Sequence, residues 1–314
     1  MALLLGVDTG GTYTDAVLIR DEAEVIATAK SLTTRADLAL GVGGAIRAVL
    51  AQSGCAASEV SMAALSTTLA TTALVEGQGG RVALTYIGFG ESDLERHGLK
   101  DALKGDPALV LAGGHNHAGF EAQPLDVGAL RAFLETHMVG VSGFAVASVF
   151  ATRNPAHEIE AARIIAEMTQ APVTCSHQLS AKLNGPKRAV TAVLNARLIG
   201  MIDRLIGRAQ ETLVDLGVTA PMMVVRGDGA LMSAEQARAR PIETILSGPA
   251  ASIVGARWMT GVENALVSDI GGTTTDVALI RNGKPAIDPA GAQVGPFRTM
   301  VEAVAMRTTG LGGD

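Results

Sequence analysis

The feature that most constrains this chain is a sequence that occurs twice. Residues 8–20 read DTGGTYTDAVLIR and residues 269–281 read DIGGTTTDVALIR. Nine of the thirteen positions are identical: the first Asp, both Gly, two Thr, the second Asp, and the closing Leu, Ile and Arg. Each copy follows an apolar run, Leu3 to Val7 or Ala265 to Val267, and leads into another. An apolar run, a Gly-Gly-Thr turn and a second apolar run spell strand, tight loop, strand. Two copies of one hairpin imply two related half-structures.

The residue types of the turn suit a polyphosphate. Adjacent glycines at Gly10 and Gly11, and at Gly271 and Gly272, let backbone N–H groups approach an anion with no Cβ in the way. Thr12 and Thr14, and Thr273 and Thr275, add hydroxyl donors. The expected phosphate contacts are therefore Thr9, Gly10, Gly11, Thr12 and Thr14 in the first copy and Gly271, Gly272, Thr273, Thr274 and Thr275 in the second. Asp8 and Asp269 would repel phosphate alone, so their place beside the glycines implies a divalent cation. Mg²⁺ fits, because it keeps most of its waters and needs one or two carboxylates plus phosphate oxygens. Asp8 and Asp269 are expected both to organise this metal and to act in catalysis by orienting or deprotonating the attacking group. Asp15 and Asp276 are expected to cap the loop or open the outgoing strand.

Composition removes several alternatives. A net charge of −6 with scattered Lys and Arg gives no footprint for nucleic acid. Cys55 and Cys175 lack CxxC spacing, so both read as reduced, packed thiols. The apolar start has no basic leader and meets Asp8 too early for a signal or a membrane span, which predicts a cytoplasmic protein with no membrane partner. No Gly-Lys-Ser/Thr loop, GxSxG elbow or HExxH helix occurs.

Periodicity predicts an α/β fold of mixed sheets flanked by helices. Strands are expected at Leu3 to Val7, Ala16 to Arg20, Glu24 to Ala29, Met62 to Leu65, Val82 to Tyr86 and Gly143 to Val149. Helices are expected from about Ala36 to Gln52, near 126–138, near 155–169, and along Pro186 to Leu216. Asn195 reads as a satisfied buried polar group within the last helix. His115 and His117 lie in GGHNHAGFE, which reads as a polar loop and a candidate for substrate contact.

The duplicated hairpins resemble the phosphate motifs of the superfamily that contains actin, heat-shock chaperones and sugar kinases. In that superfamily a helix of small residues precedes the second hairpin, and SGPAASIVGARW at 247–258 stands in that place. Within it, the chain most resembles the hydantoinase and oxoprolinase family of the hydantoinase A type. The blocks that carry this likeness are GVDTGGTYTDAVLI, STTLATTALVEGQG, TAVLNARL, PMMVVRGDGALMS, LSGPAASIVGA and SDIGGTTTDVALI, in the family's order. Two blocks depart from the family's usual form, at Thr72 and at GDGA, residues 227–230.

The resemblance implies an actin-like ATPase fold of the ribonuclease H-like kind. Residues 1–262 would form the first lobe, with family-specific insertions and long helices, and residues 263–314 would begin a second lobe that is incomplete here. It also implies ATP and Mg²⁺ as cofactors, and a cyclic amide or other carbonyl compound as substrate. Its partner would be the remainder of the enzyme or a second subunit, within an oligomer. The leading expectation is ring opening of a hydantoin or 5-oxoproline through carbonyl phosphorylation. A ketone carboxylase subunit, a small-molecule kinase and a nucleotide-gated activator stand as alternatives, because a fold does not fix an acceptor.

Overall fold

Burial alternates along β1 (Leu3–Thr9), with Leu3, Leu5, Val7 and Thr9 covered and Leu4, Gly6 and Asp8 half-covered, as the two-residue period of a strand demands. A computed structural model describes residues 2–34, 37–271 and 274–312. The chain divides into two compact units. The first is Met1–Thr72, Ile202–Ala292 and Glu302–Asp314, and the second is Ala73–Met201 with Gln293–Val301.

In the first unit β1 pairs antiparallel with β2 (Tyr13–Arg20), and β2 with β3 (Glu24–Leu32). Only residues 10–12 lie between the first two strands, because Thr9 and Thr14 already pair. The strands thus run further towards the turn than their apolar cores suggested. Helix α1 (Leu38–Ser53) starts where Asp37 accepts the Ala39 N–H at 3.1 Å and stops at Gly54, in the left-handed region at φ 68°. Ala36, the expected start of this helix, is outside the described residues. The helix buries Ala45, Ile46 and Val49. Gly41 lets it approach closely, since a Cβ there would stand 2.8 Å from the Thr14 hydroxyl oxygen. Each fully buried Leu, Ile or Val contributes about 1.5–3 kcal/mol. β4 (Val60–Thr67) runs parallel to β1 on its other edge and leads into α2 (Leu69–Val75).

The second unit holds β5 (Val82–Ile87), α3 (Leu99–Leu103), β6 (Ala108–Leu111), α4 (Val127–His137), β7 (Gly143–Ser148), α5 (Ala156–Met168), β8 (Val173–Cys175) and α6 (Ser176–Leu179). Its strands pair in the order β6-β5-β7-β8, all parallel. β5 and β7 are buried at every position, as a parallel sheet covered on both faces requires. Leu130 and Leu134 of α4 and Ala161, Ile164 and Ile165 of α5 close one face over Ala83, Ile87, Phe144 and Val146. α7 (Gly185–Asp215) begins in this unit and ends in the first. Its Asn195 is fully buried and donates to the Thr174 hydroxyl at 3.0 Å, the satisfied polar group that its setting predicted. Arg197, also buried, donates to the carbonyls of Ala102 and Leu103 at the end of α3 and to Asp106 at 2.8 Å.

The chain then completes the first unit with β9 (Met222–Val225), β10 (Leu231–Ser233), α8 (Ala234–Ala239) and α9 (Ser247–Thr260). β9 runs parallel to β4, giving a six-stranded mixed sheet in the order β10-β9-β4-β1-β2-β3. The second hairpin is β11 (Ala265–Ile270) and β12 (Thr275–Arg281). Short strands at Lys284–Pro285 and Met306–Thr309 pair with the other side of β12. No helix among the described residues is long and apolar enough to cross a membrane.

Candidate functional site

Both hairpins of the first unit are built to one pattern. Asp8 faces Asp15 and Thr9 faces Thr14 across the first; Asp269 faces Asp276 and Ile270 faces Thr275 across the second. The turn is closed in the same way in each, by the Gly10 N–H donating to the Tyr13 carbonyl at 3.0 Å and the Gly271 N–H to the Thr274 carbonyl at 2.9 Å. The repeat read in the sequence is therefore also a repeat of register and hydrogen bonding. Gly272 and Thr273 lie outside the described residues.

Glycine at position 11 is not a demand of the protein's own packing. A Cβ there would meet nothing within 4 Å, and Gly11 is exposed. Gly10 is tighter, since its Cβ would stand 3.0 Å from the Tyr13 carbonyl oxygen. Thr12 is exposed as well. Other threonines are already engaged. The Thr14 hydroxyl shares a 3.0 Å hydrogen bond with Thr33 in the core, and Thr275 donates to the Leu311 carbonyl at 2.5 Å. Thr9 is buried with its hydroxyl unpartnered.

Asp8 is half-buried and accepts a short hydrogen bond from Ser66, its neighbour on β4. Burial pushes its carboxyl above the ordinary aspartate value, the Ser66 bond opposes this, and the charges of Asp15 and Asp269 add to the rise. The charge of Asp269 is thus felt at the Asp8 carboxyl. Asp15 pairs with Lys30 at 3.3 Å, and Asp276 accepts from Thr308 at 2.6 Å, so each outgoing-strand carboxylate has a structural partner. Asp269 itself is exposed.

A cleft of about 470 Å³ opens on the Asp8 side of the sheet, lined among others by Asp8, Asp15, Lys30, Ser66, Val225 and Ala251. The N-terminus of α9 is fixed beside it. Ser247 donates to the Thr67 carbonyl at 2.9 Å, and a Cβ on Gly248 would lie 3.7 Å from the Asp8 carboxylate. Gly248 and Ala250 are buried, while a Cβ on Gly255 would meet nothing. Small residues thus matter at the start of this helix rather than along its length. Ser66 and Ser247 were not singled out from the sequence. Parallel pairing places Ser66 opposite Asp8, and nothing local to Ser66 signals that.

The two histidines of the glycine-rich loop separate. His117 is exposed; His115 is buried in the second unit, 4.5 Å ring to ring from His157, and burial lowers its pKa. Both cysteines are free thiols, Cys175 buried and Cys55 partly so.

The sequence pattern described as the hydantoinase/oxoprolinase N-terminal region matches residues 4–169, and that of hydantoinase/oxoprolinase matches residues 188–314. Caprolactamase subunit alpha of Pseudomonas jessenii is 28% identical across 98% of this chain and 48% of its own length. The acetophenone carboxylase gamma subunit of Aromatoleum aromaticum is likewise 28% identical, across 98% of this chain and 46% of its own. The crystal structure of the ATP-dependent caprolactamase from Pseudomonas jessenii superposes with a TM-score of 0.83 at 25% identity, over 99% of this chain and 48% of that one. The chain spans about half the length of the curated relatives it matches. Matched by family patterns over most of its residues, and folded as mixed sheets flanked by helices, this chain belongs to the hydantoinase/oxoprolinase family.

Proposed function

We propose that this chain is the phosphate-gripping part of an ATP-dependent enzyme that opens a cyclic amide, such as a hydantoin or 5-oxoproline, after its carbonyl oxygen is phosphorylated. The remainder of the enzyme or a partner subunit, in an oligomer, would complete it, and residues 263–314 would open its second lobe. The observation that carries this reading is the identical register and turn bond of two hairpins, with the charge of Asp269, which leads the second, felt at Asp8, which leads the first.

The donor set fits Mg²⁺ and a polyphosphate. Three carboxylates, Asp8, Asp15 and Asp269, share one locality, and their mutual repulsion is what a divalent cation relieves. Bound Mg²⁺–ATP would supply a transferable phosphoryl group and the charge that these carboxylates are placed to balance. Gly10 and Gly271 spend their N–H groups closing the turns. The amides of Gly11 and Thr12 are left to face phosphate, with Thr9, Thr14, Thr274 and Thr275 shaping the turns. Ser66 holds the Asp8 carboxylate by its short hydrogen bond and so fixes which oxygen faces the cleft.

A second reading, ATP-dependent carboxylation of a ketone, is favoured by the carboxylase relative, which is as similar in sequence as the lactamase relative. Assay of the complete enzyme with ATP and a panel of hydantoins, lactams and ketones separates the two. Ring-opened product released with ADP and phosphate supports the first, and bicarbonate-dependent loss of ketone supports the second. A stable phosphorylated product would make the protein a kinase, and ATP cleavage indifferent to every compound would make it an activator.

A further inference from the structure

The six-stranded sheet of the first unit carries a polar row across four neighbouring strands. Ser66 on β4 pairs with Asp8 on β1, Asp8 with Asp15 on β2, and Asp15 with Lys30 on β3. Paired positions share a face of the sheet, and all four residues line the cleft of about 470 Å³. With neighbouring strands about 4.8 Å apart, the row is roughly 14 Å long. Two carboxylates set directly opposite one another are unfavourable in a sheet, so the row is not built for stability.

Lys30 is the one cation among the described walls of the cleft. Its ammonium lies 3.3 Å from Asp15 and 5.1 Å from the centre of the Tyr13 ring. Tyr13 is the residue whose carbonyl closes the first turn by accepting the Gly10 N–H. Lys30 therefore reaches both the acidic row and the turn that the proposed function gives to phosphate. Its hold on Asp15 is weak, since the two side chains are 58% and 51% exposed. The flexible four-carbon stem lets the ammonium move.

The second hairpin shows what is particular about the first. Asp276, the counterpart of Asp15, has Thr308 as its neighbour on the third strand and accepts that hydroxyl at 2.6 Å. A neutral hydroxyl is thus enough to partner this carboxylate. The charge at position 30 asks for another cause.

We propose that Lys30 is a further phosphate-binding residue of the nucleotide site, held by Asp15 until a divalent cation claims the carboxylate row and then free to donate to a phosphate oxygen. The inference rests on the reading of the hairpins as the grip for Mg²⁺ and a polyphosphate. Without nucleotide, the Lys30 ammonium neutralises Asp15 and competes with any cation for it. With the metal in place, Asp8 and Asp15 turn to it, and Lys30 finds its new partner in the phosphates beside the turn. Ser66 keeps Asp8 oriented throughout. One ion pair is exchanged for another, and no covalent bond changes.

Removing the charge should therefore act with opposite sign on the two halves of the exchange, which a purely structural role would not produce. The test is calorimetric titration of the complete protein with Mg–ATP, beside titration with Mn²⁺ alone, read from the paramagnetic signal of the free ion. Lys30→Met keeps the stem and removes the charge. It is expected to weaken Mg–ATP binding by about 10-fold, as loss of one charge-assisted hydrogen bond does, and to tighten binding of Mn²⁺ alone by about threefold. Lys30→Arg, which keeps the charge, is expected to stay within about threefold of wild type for both. Wild-type affinity for either probe in Lys30→Met overturns the proposal. So does a parallel loss of both affinities, which would make Lys30 a prop for Asp15 alone, or a loss in Lys30→Arg as large as in Lys30→Met. If Gly11→Val loses Mg–ATP and Lys30→Met does not, the turn binds phosphate without Lys30 and this assignment fails alone. If the wild type binds no Mg–ATP, the reading of the hairpins fails and the proposal with it.

Discussion

The two hairpins share nine identities in thirteen positions and one hydrogen-bond pattern, yet they are covered on opposite faces. Leu5 and Leu18 are 1% and 0% exposed beneath α1; their counterparts Leu266 and Leu279 are 67% and 38% exposed. On the reverse face the order inverts. Ile280 is buried with Ala278 against Ala250 and Ile253 of α9, while Ile19 is only half-buried and Val17 lines the open cleft. The carboxylates differ in step with this. Asp8 sits between β2 and β4 and is held by Ser66, whereas Asp269 is exposed on β11, which pairs with β12 alone among the described residues. Consecutive Leu and Ile put an apolar side chain on each face, so the repeated sequence suits either kind of cover. What it specifies is the turn, and the turn is the part that stays constant.

If the constant part is the working part, symmetric substitutions should act alike there and unlike elsewhere. The largest effect is expected on turnover. Asp8→Asn and Asp269→Asn, each in the complete enzyme, should lower kcat by about 10³-fold, the scale of losing a charge-organising group at a reacting centre. Near-normal steady-state rates for one of the two would break the equivalence of the copies. Next comes stability. Leu5→Ala should cost about 3 kcal/mol in urea unfolding, as other large-to-small core changes do. Leu266→Ala should stay within about 0.5 kcal/mol, because the side chain is exposed. Equal costs would mean that the exposed face is covered in solution.

A smaller effect separates stability from function at one residue. The folded chain holds the Asp8 proton more tightly than the unfolded chain, in which the carboxyl has the ordinary value of 3.8. The charged form therefore disfavours the fold at pH above the raised value, and this penalty fades as pH falls through that value. Asp8→Asn should raise Tm at neutral pH while lowering turnover, and its advantage should vanish as the solution is acidified towards 3.8. A Tm below wild type at pH 7 would show that the Ser66 bond outweighs burial and charge. The smallest effect is at the exposed Lys30–Asp15 pair, where Lys30→Ala should change stability by roughly 0.5 kcal/mol or less.

Most regular elements were legible because their signals are local. β5, α4, α5 and α7 match their expected ranges to within a residue or two, since each carries a full apolar run or several helical periods. β6 and β8 were not foreseen, being four and three residues long and too short to show any period. The turns of the site were legible because glycine and threonine advertise a turn on their own. Ser66 was not, since it owes its position to a partner 58 residues away. His115 and His117 show the converse. They are neighbours in sequence whose fates are set by a loop that buries one and exposes the other.

Binding of Mg²⁺–ATP to Gly11→Val, followed by calorimetric titration of the complete protein, tests the central claim most directly. A Cβ at position 11 would meet nothing within 4 Å, so the melting temperature should move little. A loss of affinity of about 100-fold, or about 2.8 kcal/mol, is expected if phosphate oxygens come up against this turn. Wild-type affinity in a normally folded Gly11→Val protein would contradict the account.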